Sequence, residues 1–143
     1  LGFKGGFILM DQAKIDEVAK VSGGIESLEG SVGVVPLADY DTKGATQFVE
    51  KYKKDHKNVA TSETAYNYFA LHLIAQAMQE AGSVDDAEKI RAAIPAALNT
   101  LPGEFNPYDV HEISAQGDLN ADPQIAEVKD GKVKLHRMSE LTK

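Results

Sequence analysis

Asp11 is the residue of this sequence best placed to do chemistry. It follows the wholly apolar run Phe7-Ile8-Leu9-Met10, and open α/β sheets gather their ligands just beyond the carboxyl ends of strands. A carboxylate there can hold a ligand ammonium through a charge-assisted hydrogen bond. The same position suits the N-cap of a helix beginning near Gln12 or Ala13. Aspartate is among the preferred cap residues, and position alone favours the cap. The other reactive residue types are not grouped. His56, His72, His111 and His136 are scattered and lack the spacing that metal sites require. With 0 cysteines there is no thiolate ligand, disulfide or cysteine nucleophile.

Other motifs fail on inspection. Asp118-Leu119-Asn120-Ala121-Asp122 opens like a calcium loop, but Pro123 stands where glycine is needed and Lys129 where the bidentate glutamate belongs. It reads as a polar turn. Gly2-Phe3-Lys4-Gly5-Gly6 and Gly30-Ser31-Val32-Gly33 match neither phosphate-binding fingerprint, so turns at strand edges are expected. No G-x-S-x-G elbow is present. Glu63 suits the positive end of a helix dipole. No base, nucleophile and orienting group come together, so the sequence gives no support for an enzyme, and no metal or cofactor is expected.

The elements that must position Asp11 alternate between strand and helix. Phe7–Met10 has the character of a buried parallel strand. A helix carrying Ile15, Val18 and Ala19 on one face should stop at Gly23-Gly24. A second strand reads through Leu28–Val35 and ends at Pro36. Asp41 or Thr42 can cap the next helix, with Ala45, Phe48, Val49 and Tyr52 inward and Lys51, Lys53 and Lys54 outward.

The strongest periodicity is Tyr66, Phe69, Ala70, Leu73, Ile74, Ala77, Met78 and Ala81, closed by Gly82 as a left-handed cap. Ser83 can cap a further helix faced by Ile90, Ala93, Ile94, Ala97 and Leu98, in which Pro95 predicts a break or kink at Ile94. Short β pieces follow at Val110–Ile113 and Ile125–Val128. Asp130-Gly131 signals a hairpin into Lys132–Leu135.

Composition sets the outer limits. The chain has 143 residues, 43% hydrophobic and 26% charged, which describes a globular domain with one modest core. Its 15 basic against 22 acidic residues give a net charge of −7, which argues against nucleic acid as a partner because phosphate binding needs a basic face. No apolar stretch reaches the length of a membrane span. The first residue is leucine rather than methionine, so a processed product or a fragment is expected.

These pieces, in this order, resemble the solute-binding proteins of branched-chain amino acid ABC transporters, of the type I periplasmic kind. Gly2-Phe3-Lys4-Gly5-Gly6-Phe7-Ile8-Leu9-Met10-Asp11 is similar to a glycine-bearing strand that ends in an acidic residue. Leu28-Glu29-Gly30 resembles the family's next element, and Phe48-Val49-Glu50-Lys51-Tyr52-Lys53-Lys54 its F-x-x-x-Y helix. Ala65–Ser83 resembles its long helix with the closing "AGS", and Glu88–Ile94 the helix that follows. Ile113–Asp118 and Glu127–Val133 resemble the "F-D-x-x-G" and "V-x-D-G-K" pieces at the end.

The resemblance implies a part of a two-lobed α/β fold, with parallel strands flanked by helices. By it, residues 1–36 form a strand–helix–strand segment of the second lobe. Residues 37–118 form a helical segment that packs on the first lobe, and residues 119–143 form closing strands that return to the second. It implies ligand contact at Asp11 and Gln12, which turns the balance for Asp11 away from the cap. The implied protein is a periplasmic or lipid-anchored extracellular receptor that captures an amino acid or similar small carboxylated solute and performs no reaction. Its implied partners are a membrane ABC permease and either the missing N-terminal part of the same protein or a second copy. A ligand-sensing regulatory domain of the same fold, and more distantly an α/β enzyme, are the alternatives.

Overall fold

A computed structural model describes residues 3–10 and 13–141. The chain divides into two compact units. One combines the stretch up to Asp39 with the stretch from Asp122 onward, and the other is Tyr40–Ala121. Among the described residues no helix is long and apolar enough to cross a membrane.

The first unit is a four-stranded mixed sheet. Strands β1 (Ile8–Leu9) and β2 (Val32–Val34) run parallel, with Ile8 opposite Val32. Strands β5 (Gln124–Lys129) and β6 (Lys132–Arg137) continue the sheet antiparallel, in the order β1-β2-β5-β6. The hairpin expected at Asp130-Gly131 is present. Both residues have positive φ, 56° and 67°, as a two-residue turn matched to strand twist requires. The carboxylate of Glu29 accepts from the amides of Asp130 and Gly131 at 2.9 and 3.0 Å, a link across 101 and 102 residues of chain.

Helix α1 (Ile15–Ser22) closes on Gly23 in the left-handed conformation, as its glycine pair predicts. It covers the sheet face that carries Gly33: a Cβ on Gly33 would lie 3.2 Å from Cγ1 of Ile15. Ile15, Leu28, Val35, Ala126 and Val128 make the core of this unit. The alternation of β structure puts Ile8, Val32, Val34 and Ile125 on the opposite face.

That opposite face corrects one expectation. The apolar run of β1 predicts a buried strand, yet Ile8 is 77% exposed. β1 lies at the edge of the sheet, and α1 covers only the other side. The second strand is also shorter than expected. Ile25–Leu28 winds into a 3-10 turn, and Gly30 at φ 77° breaks the extended path before β2 begins.

The second unit is mainly helical. Helix α2 (Lys43–His56) is capped by Thr42, whose Oγ1 accepts from the Ala45 amide and donates to the Pro107 carbonyl at 2.6 Å. Helix α3 (Ser62–Ala81) ends at Gly82 with φ 59°, as expected. Helix α4 (Ala87–Thr100) packs beside it. Its cap is Asp86 rather than Ser83. Ser83 instead receives the Asp85 and Asp86 amides in the preceding turn.

Pro95 does not break α4, which is helical through Thr100. The flanking Ala92, Ala93, Ala96 and Ala97 are strong helix formers, and packing on α3 holds the helix across the missing N–H. A small hairpin, β3 (Glu112–Ile113) with β4 (Leu119–Asn120), closes the unit. A four-residue helix α5 (Met138–Leu141) follows β6 in the first unit.

Candidate functional site

Asp11 and Gln12 lie outside the described residues. β1 is fixed to β2 by the Phe7 amide donating to Oγ of the fully buried Ser31 at 3.0 Å, and by the Val32 amide donating to the Phe7 carbonyl at 2.9 Å. Two glycines allow the close approach. A Cβ on Gly6 would lie 1.8 Å from the Gly30 carbonyl oxygen, and one on Gly33 would lie 2.7 Å from that of Leu9. The glycine-rich segments therefore serve strand contact as well as turns. The parallel pair sends the carboxyl ends of β1 and β2 to the same edge of the unit, and in sequence Asp11 comes two residues after β1. Helix α1 begins at Ile15, later than expected, and its N-cap position is held by Lys14, which makes no side-chain cap bond.

The second unit carries a groove of about 700 Å³ between α3, α4 and the β3–β4 hairpin. Phe69, Leu73, Ile74, Ile94, Ile113 and Leu119 line it, with Arg91 and Ser114 as polar members. The periodicity of α3 predicts one broad apolar stripe. The structure buries only Ala65, Phe69, Leu73 and Ala77 of this helix's apolar face, leaving Tyr66, Ala70 and Ile74 exposed along the groove.

Tyr66 stacks on Tyr108 with ring centroids 4.5 Å apart, and Tyr40 meets Tyr108 edge-on at 5.3 Å. The Tyr108 hydroxyl donates to the Ser62 carbonyl at 3.1 Å. Burial, then the neighbouring Tyr66 hydroxyl, pushes the Tyr108 phenol far up, so it stays a neutral donor. Sequence pattern marks Tyr66 as part of the α3 stripe but has no signal for Tyr108, whose partner lies 46 residues away.

The reactive residue types are occupied elsewhere. His72 lies flat on Phe105 at 3.8 Å, and His56 packs on Tyr52 at 4.5 Å. His136 pairs with Glu127 at 2.8 Å, and His111 contacts the Asp109 carbonyl. Among the described residues none of the four bonds a hydroxyl side chain, and no group of three or more potential ligands could hold a metal ion. The calcium-like segment is not the expected turn but the short strand β4 with irregular residues on either side. Asp118 accepts from the Ser114 hydroxyl, and Asp122 accepts from the Ser139 amide and hydroxyl.

A parallel strand pair with its carboxyl ends together, a mixed sheet and a mainly helical second unit make an α/β architecture of the kind whose ligands gather beyond the carboxyl ends of its parallel strands. Residues 1–132 match the periplasmic binding protein family, and the chain belongs to it. That family is one of binding proteins, not enzymes, and membership implies an extracytoplasmic location. The chain is similar to a solved leucine-binding protein, LivK, of Thermotoga maritima, with 26% identity and a TM-score of 0.63 over 94% of this chain and 37% of that one. It also shares the fold of an ABC transporter substrate-binding protein of Desulfitobacterium hafniense, with 18% identity and a TM-score of 0.58 over the same 94% and 37%. The chain therefore spans little more than a third of either protein. No curated protein matches it.

Proposed function

We propose that this chain is the C-terminal part of the extracytoplasmic solute-binding component of an ABC transporter, and that the whole protein captures an amino acid or a similar small carboxylated solute. The observation that carries the reading is the family match over residues 1–132. The 26% identity to a leucine-binding protein supports an amino acid as the solute class. In this reading Asp11 meets the ligand ammonium and Gln12 lies beside it. The captured solute passes to a membrane permease, with the receptor held in the periplasm or lipid-anchored outside the cell.

Residues 1–36 and 119–143 then belong to the second lobe. Residues 37–118 pack on a first lobe supplied by the rest of the polypeptide, a covering that the open groove along α3 and α4 invites. A second copy of the chain is the other candidate for that role.

A buried ammonium needs a carboxylate partner, because an unpaired buried charge costs several kcal/mol. In the complete protein, Asp11→Asn keeps the shape and removes the charge. It should weaken binding of a cognate amino acid by about 2–5 kcal/mol. The melting temperature should hardly move, since asparagine caps a helix as well as aspartate does. Isothermal titration with leucine and the other amino acids, beside thermal melts of both forms, tests this. Equal affinities would remove Asp11 from the site and move the ligand class away from amines. A complete protein that binds no amino acid at all would overturn the solute class.

A further inference from the structure

No further inference is drawn: the strongest candidate, the apolar groove between α3, α4 and the β3–β4 hairpin, is the face already assigned to the rest of the polypeptide, and nothing in the structure shows a different occupant.

Discussion

At the scale of single residues, close backbone approaches decide more than charges do. Gly6 is the sharpest case, because the atom a side chain would meet is the main-chain oxygen of Gly30, which cannot rotate away. Gly6→Ala should destabilise the protein by about 1–3 kcal/mol or more, as overpacking does, and should loosen the strand that leads to Asp11. Denaturant unfolding checks the first effect, and faster amide exchange at Val32, which donates to Phe7, checks the second. Asp86 offers a test of sign. The Lys89 amide bonds its carboxylate and, with the Lys89 ammonium, lowers its pKa below 3.8. A depressed carboxyl stabilises the folded state above its unfolded pKa, and that contribution fades as pH falls through the folded value. Asp86→Ala should therefore lower the melting temperature at pH 7. The gap from the parent should narrow only below about pH 3.8, which paired melts between pH 7 and pH 2.5 would show.

At the scale of elements, what sequence revealed and what it hid divide along physical lines. Signals carried by a few adjacent residues were readable: Gly23 and Gly82 as helix ends, Thr42 as one of two possible caps, and Asp130-Gly131 as a hairpin. Each depends on local backbone geometry that only certain side chains allow. Features set by distant packing were not readable. The α3 pattern cannot tell Phe69, which is buried, from Ile74, which is exposed, because both are apolar and belong to the same stripe. The apolar run of β1 likewise carries no mark of the exposed edge it forms.

Pro95 departs from its local signal for a related reason. A proline's local cost was visible, but the alanines around it and the contact with α3 outweigh that cost. The proline still leaves the Arg91 carbonyl without its helical donor. Pro95→Ala should restore that bond and stabilise α4 by about 1–3 kcal/mol, measured by chemical denaturation. A neutral or destabilising result would mean that the ring's place along the groove matters more than the missing hydrogen bond. Of the candidate site, the strand that precedes Asp11 was readable. The frame around it, Ser31 beneath Phe7 and Gly6 against Gly30, depends on residues 24 apart and was not.

At the scale of the whole molecule, the open surfaces govern behaviour in solution. Ile8 on the uncovered sheet face is 77% exposed, Leu71 on α3 is 70% exposed, and Ile74 beside the groove is 44% exposed. Contiguous apolar surface beyond a few hundred Å² marks an interface or an aggregation hazard. Produced alone, the chain should associate. Light scattering coupled to size exclusion should give a mass above that of one chain, with binding of a hydrophobic dye. A dye-silent monomer would mean that these surfaces satisfy themselves.

The link from Glu29 to the Asp130–Gly131 turn also has a consequence for synthesis. The helical unit is continuous in sequence and can close as soon as it leaves the ribosome. The sheet unit cannot, because β2 pairs with β5 from the far end of the chain. At ribosomal speeds of about 5–20 residues per second, 101 residues amount to a wait of roughly 5–20 s. Through that interval β1 and β2 have only each other, without β5 and β6, and make a natural client for a holding chaperone.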